Sequence, residues 1–323
     1  MLKSFNKLSD LLNQPASQER ALTTMRAART VLADDPVIRA AKATLDAIDP
    51  AEDAIAAVAD LDWEDVVRSV VLGNLRAMGD EPLYAPPLSV LDDSSFKGFV
   101  LLDHPAMLVS VIACDPTEFV LKKRNPAQEL RSLAFSATDS YLRFIKAGGL
   151  TISRWSCPLF TDETVASDAI RCTRTSEQLL ADGDVVRLAG GTQTMVFERC
   201  DSGFVMLQLI HRRPRSPVVP EFEAVEGRLI ACSAADQKSS RIQMLSTLTR
   251  LLGAEGMDET YEALSRHADH FVRWHVMREW LARSPGRAKQ RLAEMARDDR
   301  NANVRRTADM TLRLFFKPQE EEA

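Results

Sequence analysis

The sequence predicts an α+β protein of several domains, with a block of short strands between two helical regions. Three observations support this fold class. Apolar residues recur at helical spacing in the first part of the chain, short alternating segments separated by turn residues fill the middle, and a 32-residue repeat follows. The predicted boundaries are a helical region at 1–80, a β-domain at 81–235, helical repeats at 236–317 and an acidic tail at 318–323.

Three N-terminal segments carry apolar residues at three- and four-residue spacing, bordered by Asp or Pro: 22–32, 37–48 and 66–78. This pattern predicts amphipathic helices. Two short stretches, 35–39 and 65–68, each run from an aspartate through valine to an arginine. They resemble the Val-Arg dipeptides at 272–273 and 304–305 in the C-terminal repeats. They indicate either a second piece of helical repeat or an ordinary pair of acidic amphipathic helices.

The central block consists of short apolar segments separated by Asp, Gly, Asn and Pro. Gly148 and Gly149 join two of these segments at a predicted turn. Many short strands in one block predict a sandwich or barrel. The predicted strands are 99–102, 107–113, 119–122, 142–146, 150–157, 185–188, 194–198 and 204–210.

Residues 183–198 carry a glycine frame that resembles the second signature of the cupin family, G-x5-P-x-G-x2-H-x3-N. Gly183 and Gly191 take the two glycine positions, while Ala189 stands in place of the proline. Thr194 takes the position of the metal-binding histidine, and Glu198 takes that of the asparagine. The resemblance implies a jelly-roll barrel whose second signature lacks its imidazole.

The first cupin signature, G-x5-H-x-H-x3,4-E-x6-G, has a similar counterpart that starts at Gly149. Trp155 and Cys157 occupy the two histidine positions, Asp162 stands in place of the glutamate and Ala169 in place of the final glycine. The resemblance covers roughly residues 85–232. It implies a cupin-like barrel in which the residue types that bind metal in the family have been replaced.

Period-two alternation places four side chains on one side of the two signature strands, and we expect them to line a pocket. They are Trp155, Cys157, Thr194 and Glu198. Because a mononuclear cupin site needs three or four converging nitrogen or oxygen donors, we expect neither a metal nor another cofactor here. The alternative is a metal-independent enzyme of the isomerase or epimerase kind, or a ligand sensor, with Glu198, Cys157 and His104 as the acid–base groups.

The other histidines favour structural interpretations. His211 shares its alternating face with apolar residues and is interpreted, like His104, as a half-buried structural histidine. His267, His270 and His275 cluster in the C-terminal region, but no cysteine or fourth ligand accompanies them. A solvated turn is therefore favoured over a metal site.

The C-terminal region repeats with a period of 32 residues. Arg241, Arg273 and Arg305 are evenly spaced, and Leu248, Trp280 and Leu312 each follow their arginine by seven residues. The segments 271–282 and 303–314 resemble the second helices of short HEAT repeats, with 260–264 and 291–296 as first helices. Breaks are expected at 253–256 and 284–286. The resemblance implies stacked helix pairs in which the three arginines have equivalent environments.

Composition limits the class of protein. The chain has 323 residues, 45% hydrophobic residues, a formal charge of −5 and five cysteines without regular spacing. No stretch is apolar enough for a membrane span, and the cysteine pattern predicts reduced thiols in a cytoplasmic protein. Residues 278–317 hold eleven Lys or Arg against five Asp or Glu, an excess that would suit a nucleic-acid surface. The acidic charge of the whole chain and the missing nucleic-acid motif favour solvated arginines instead.

These observations favour a non-catalytic binding, regulatory or scaffold protein over an enzyme. The barrel lacks the family's metal ligands, whereas stacked helical repeats present an extended surface. Trp274, Arg278 and Arg306 combine the aromatic and arginine character of binding hot spots. We therefore expect a protein partner, or self-association into a homo-oligomer, through this surface.

Overall fold

The computed structural model describes residues 13–49, 52–93, 95–115, 117, 132–165, 167 and 169–316. The predicted strand at 119–122 and the acidic tail at 318–323 lie outside these residues. Within the described part of the chain, no helix combines the length and the apolar character needed to cross a membrane.

The N-terminal region is helical, and its apolar segments coincide with observed helices, except that the segment 37–48 includes the C-cap residue Ile48. The helices are α1 (Pro15–Asp34), α2 (Pro36–Ala47), α3 (Ala54–Val58) and α4 (Trp63–Asp80). Asp35 separates α1 from α2 because its carboxylate accepts hydrogen bonds from the backbone N–H groups of Val37 and Ile38. Pro36 supplies the fixed φ that suits a first helical position.

The central region forms antiparallel sheets. The strands are β1 (Val90–Asp93), β2 (Phe96–Asp103), β3 (Met107–Cys114), β4 (Ser132–Ala134), β5 (Thr138–Lys146), β6 (Thr151–Ser156), β7 (Thr173–Leu179), β8 (Val185–Leu188), β9 (Gln193–Arg199), β10 (Val205–Pro214), β11 (Val218–Glu223) and β12 (Leu229–Ala234). The largest sheet has the strand order β1-β2-β3-β10-β5-β8, and two smaller sheets have the orders β12-β11-β4 and β7-β6-β9.

The large sheet is buried on both faces, since alternate residues of its strands belong to different apolar clusters. Tyr141 and Leu207 pack with the N-terminal helices, around Trp63. Leu142 and Phe144 face the other way and pack with Ile152, Phe197 and Phe204. The fold is therefore an antiparallel β-sandwich with helices covering one outer face.

The C-terminal region is helical: α5 (Gln237–Leu251), α6 (Asp258–Leu264), α7 (His270–Arg283), α8 (Pro285–Asp298) and α9 (Ala302–Phe315). Helices α5, α6 and α8 all contact α7, and α8 also packs along α9. Tyr261, Val276, Trp280 and Leu292 belong to the apolar cluster at the centre of these helices. Its burial, at about 25 cal/mol per Å² of apolar surface, is the main driving force that holds the segment together.

Two of the three evenly spaced arginines share the same backbone carbonyl contacts, and the third does not. Arg273 donates from Nη1 to the carbonyl oxygens of residues 267 and 268, at 2.9 and 2.6 Å. Arg305 donates from Nη1 to the carbonyls of residues 299 and 300, at 2.5 and 3.1 Å, which are the same positions relative to its helix. Arg241 instead reaches Gln237 within its own helix, so the prediction of three equivalent arginines is wrong for Arg241.

The N-cap residues explain this difference. Asp236, Asp269 and Asn301 occupy equivalent N-cap positions, 33 and then 32 residues apart. The extra residue in the first interval moves Arg241 one position along α5. A step of about 100° around the helix axis then turns its side chain into solvent.

Candidate functional site

Cys157, at the second histidine position of the cupin pattern, is a buried structural thiol. It directly follows β6, its backbone N–H donates to the Thr192 carbonyl at 2.9 Å, and its Sγ–H donates to the Gly191 carbonyl at 3.4 Å. Burial raises the pKa of the Cys157 thiol to about 12, and the neighbouring Cys172 and Cys232 act in the same direction. Because the thiolate is the nucleophile and the metal ligand, this protonated thiol suits neither role at neutral pH.

Trp155 and Thr194 lie directly opposite each other on β6 and β9. The Trp155 indole N–H donates to Ser153 Oγ at 3.1 Å. Its ring packs, as does Val196, against an apolar cluster that includes Phe135, Phe160 and Phe222. Two of the four predicted pocket residues, Trp155 and Cys157, therefore belong to or adjoin a packed cluster.

Glu198 has polar partners instead. Its Oε1 accepts hydrogen bonds from Ser153 Oγ at 2.5 Å and from Arg174 Nη2 at 3.4 Å. Ser153 is fully buried, so the carboxylate satisfies a hydroxyl that has no access to water. His104 lies in the turn after β2, where its Nε2 is 3.0 Å from Asp46 Oδ1 of α2. The three candidate acid–base groups thus have different neighbours.

Asp162, at the glutamate position of the cupin pattern, joins the sandwich to the C-terminal helices. Its Oδ1 accepts hydrogen bonds from the backbone N–H of His270 at 2.5 Å, and its Oδ2 accepts from Arg273 Nη2 at 3.2 Å. Its backbone carbonyl accepts from Asn301 Nδ2 at 2.7 Å. One residue therefore contacts the N-terminal ends of both α7 and α9, where a negative charge also complements the helix dipoles.

Arg273 and Asp299 form a buried ion pair behind this junction. The guanidinium donates from Nε and Nη2 to the two carboxylate oxygens, at 2.9 and 2.8 Å, and the side chains are only 4% and 2% exposed. Burial alone would raise the pKa of Asp299, but the hydrogen bonds from Arg273 hold it below its ordinary value. A planar, bidentate pair of this kind fixes the relative position of two helix ends.

The predicted partner surface lies on the same helices. A surface cavity of about 290 Å³ opens there, between α5, α7 and α9. Its lining combines aromatic, cationic and neutral polar side chains with one aliphatic side chain: Gln243, His270, Phe271, Trp274, His275, Arg278, Asn303, Val304 and Thr307.

His275 anchors one wall of this cavity. Its Nε2 is 3.0 Å from the Gln243 carbonyl and 3.0 Å from Thr247 Oγ1, and its Nδ1 is 3.2 Å from Arg278 Nη2. Since a guanidinium can only donate, Nδ1 is the acceptor of a neutral imidazole. Burial lowers the pKa of His275, an effect that the Arg278 charge reinforces and that Glu279 opposes.

Arg278 and Arg306 carry charges that no described carboxylate neutralises. Arg278 bonds to His275, and Arg306 Nη2 donates to Asn303 Oδ1 at 2.9 Å; both arginines are exposed. Most other arginines of the segment have a carboxylate partner: Arg250, Arg266, Arg273, Arg287, Arg291, Arg297, Arg300 and Arg313. The cavity is therefore bordered by positive charge.

The histidines of this region do not converge. His267 accepts from the backbone N–H of Asp269, His270 contacts Asp162, and His275 faces α5. Among the described residues, no group of three or more His, Cys, Asp or Glu side chains is arranged to hold a metal ion.

No protein-family model and no curated protein matches the sequence. Three solved structures are similar to part of the chain: CapF with the inhibitor 3-isopropenyl-tropolone, ectoine synthase from P. lautus and an RmlC-like cupin from Shewanella frigidimarina NCIMB 400. Their sequence identities are 14%, 12% and 10%, and their TM-scores are 0.24, 0.24 and 0.22. They cover 40%, 40% and 38% of this chain and 31%, 71% and 83% of their own chains.

The chain thus spans about a third of the length of the CapF structure. Because the sequence identities and TM-scores of these three structures are low, the comparisons do not identify a ligand, a reaction or a partner for this chain. The antiparallel sandwich of this chain is defined by its own strand pairing.

Sequence reasoning missed the contacts of Asp162 with Arg273 and Asn301. The available signal was Asp162 itself, an acidic residue at the glutamate position of the cupin pattern with no histidine at the other positions of that pattern. Its carboxylate needs a cation as a partner, and the one that it finds belongs to a helix more than 100 residues away.

Proposed function

We propose that the protein is a non-catalytic binding module, in which a cupin-like sandwich carries a short stack of HEAT-like helices. The helices bind a partner protein through the face that contains Trp274, Arg278 and Arg306. One observation carries the proposal: unneutralised guanidinium groups border an aromatic-lined cavity of about 290 Å³.

The chemistry of this face suits protein recognition. Arginine and tryptophan are enriched at binding hot spots, because each offers a large contact area together with hydrogen-bond donors. Trp274 is held in place by the apolar cluster of the helices, so little conformational entropy is lost when a partner covers it. A partner that supplies carboxylates to Arg278 and Arg306 would complete ion pairs of the kind that the neighbouring arginines form within the chain.

The sandwich supports this role as a platform. Asp162 bonds to both α7 and α9, and the Arg273–Asp299 pair holds the two helix ends together. The surface is thereby pre-organised on a rigid base. At the positions that resemble the cupin ligands, the side chains make packing contacts and internal hydrogen bonds that suit a structural role.

A crosslinking experiment tests the proposal. A photoreactive p-benzoylphenylalanine is placed at position 278 or 306 in the full-length protein, and at position 297 as the matched control. Arg297 is 71% exposed on α8. We expect a defined protein adduct from positions 278 and 306 in the source cell, and none from 297.

The partner identified in this way is then titrated against purified variants. Arg278→Glu, Arg306→Glu and Trp274→Ala should each weaken binding at least about tenfold, a loss of about 1.4 kcal/mol, whereas Arg297→Glu should not. The proposal fails if all three positions give the same adducts. It also fails if these variants bind normally while Glu198→Gln abolishes turnover of a small molecule.

A further inference from the structure

Helix α5 carries an exposed apolar stripe that the proposed function does not use. Four of its side chains and that of the C-cap residue Leu252 lie at helical spacing and are 42–79% exposed: Met244, Leu245, Leu248, Leu251 and Leu252. Single exposed apolar residues are common on protein surfaces, but five neighbours along one helix and its C-cap form a contiguous patch of the kind that marks an interaction site.

The stripe points away from the rest of the helical stack. The opposite side of α5 holds α7 through three contacts: Ser239 with Asp269, Thr247 with His275, and the Arg250–Glu279 ion pair. At about 100° per residue, these contact positions fall on one side of α5 and the stripe falls on the other. The stripe is thus the outer face at one end of the stack.

An apolar outer face is unusual at the end of a helical array. Terminal units of stacked helices need a polar outer face to remain soluble. Helix α7 has α6 before it and α9 has α8, whereas α5 follows strand β12 after a gap of two residues. An additional helix on α5 would extend the stack and cover the stripe.

The charges of α5 indicate what kind of additional helix would cover the stripe. Its charged residues are Lys238, Arg241 and Arg250, and it contains no acidic residue. Arg250 is neutralised by Glu279, whereas Lys238 and Arg241 form no ion pair with a described carboxylate. Two copies of α5 packed together would bring like charges close, which disfavours self-association through this face.

We propose that the α5 stripe binds an amphipathic α-helix of a partner protein, with acidic residues flanking its apolar face. The spacing of residues 244, 248, 251 and 252 provides the ridge that such a helix packs against. The stripe spans about 12 Å, or roughly two turns, at 1.5 Å per residue. This inference uses residues distinct from Trp274, Arg278 and Arg306, so it does not depend on the function proposed above.

The test uses the full-length protein and two synthetic 18-residue helical peptides. Both peptides carry Leu at positions i, i+3, i+4 and i+7; one has Glu and the other has Lys at the flanking positions. We expect the Glu peptide to bind at least about tenfold more tightly in fluorescence anisotropy, with the difference decreasing at high salt. Leu248→Glu and Leu245→Glu should abolish this binding.

Two further variants test whether peptide binding is specific to the stripe and to its positive charge. Val225→Glu is the matched control, because Val225 is 88% exposed in the β11–β12 turn and is equally apolar; it should leave binding unchanged. Arg241→Glu should reverse the preference in favour of the Lys peptide. Circular dichroism should show unchanged helix content in every variant, since all the substituted side chains are exposed.

Several outcomes would overturn the inference. Equal affinity for the two peptides, or no binding of either, would show that charge does not select the occupant. Binding to vesicles of phosphatidylcholine and phosphatidylserine that is lost in Leu248→Glu, without peptide binding, would assign the stripe to a membrane surface. A dimer in sedimentation that dissociates in Leu248→Glu would assign it to a second copy.

Discussion

Replacing Arg273 by alanine should destabilise the C-terminal helices far more than the same change at Arg305. Arg273 is 4% exposed and donates to both oxygens of Asp299, to Asp162 and to two carbonyl groups. Without the guanidinium, Asp299 stays buried without its cation. Breaking one side of a buried ion pair costs about 3–5 kcal/mol.

Arg305 provides the matched control because it makes the same carbonyl contacts without a carboxylate partner. Its Nη1 donates to the carbonyls of Asp299 and Arg300, and its side chain is half-buried. Loss of these hydrogen bonds should cost about 1 kcal/mol. The difference of about 2–4 kcal/mol between the two variants measures the contribution of the Asp299 and Asp162 contacts.

Urea unfolding followed by tryptophan fluorescence and circular dichroism is the suitable assay, since Trp274 and Trp280 lie in this segment. At about 2 kcal/mol per M of urea, Arg273→Ala should lower the transition midpoint by roughly 1.5–2.5 M. Arg273→Lys keeps the charge but loses the planar fork, so it should fall between wild type and alanine. A cost below about 1 kcal/mol, or equal to that of Arg305→Ala, would refute this account of the junction.

Three further predictions concern a titration, a thiol and the ligand positions. Burial lowers the pKa of His275 below the value of about 6.5 in unfolded chains, so folding favours the neutral imidazole. The contribution of His275 to stability is therefore present above pH 6.5 and is lost as the pH falls toward the folded-state pKa. The unfolding free energy of wild type should therefore decrease more steeply between pH 7 and 5 than that of His275→Gln, and parallel profiles would contradict this. The buried Cys157, with a pKa of about 12, should react with Ellman's reagent only on unfolding. The exposed Cys232 should react in the folded protein, although burial also raises the pKa of its thiol and so slows the reaction; Cys232→Ser should remove this folded-state phase, and labelling of Cys157 in the folded protein would contradict its placement. Trp155, Cys157 and Thr194 stand at the three histidine positions of the cupin signatures, so elemental analysis of the purified protein should find no stoichiometric transition metal. One bound ion per chain, removed with loss of an activity, would overturn this prediction.

The local elements follow from the sequence because their signals are local. Apolar periodicity and Asp or Pro borders place α1, α2 and α4, and the glycine turn at 148–149 separates β5 from β6. Gly148 and Gly149 have φ values of +60° and +70°, which residues with a Cβ rarely adopt. The 32-residue spacing likewise places α7 and α9.

The site required the tertiary structure. Trp155 on β6 and Val196 on β9 both pack against a cluster that includes Phe135, Phe160 and Phe222. Alternation along the two strands does not show that these phenylalanines fill the space beside them. These phenylalanines come from other parts of the chain. Whether a strand face borders a pocket or a packed cluster is decided by those distant segments.

Local patterns in the sequence predict most of the helices and the strands β2, β3, β5, β6, β8, β9 and β10, because hydrophobic period, caps and turn residues act over a few positions. The predicted strands do not include β1, β4, β7, β11 and β12; β7, for example, is exposed along its whole length and has no apolar alternation. What the side chains of these elements contact depends instead on the tertiary structure. The single extra residue between the caps Asp236 and Asp269 separates Arg241 from Arg273, and Asp162 finds its cation more than 100 residues away in α7. Such pairings depend on which surfaces meet when separate elements bury their apolar faces, and no local pattern records that outcome.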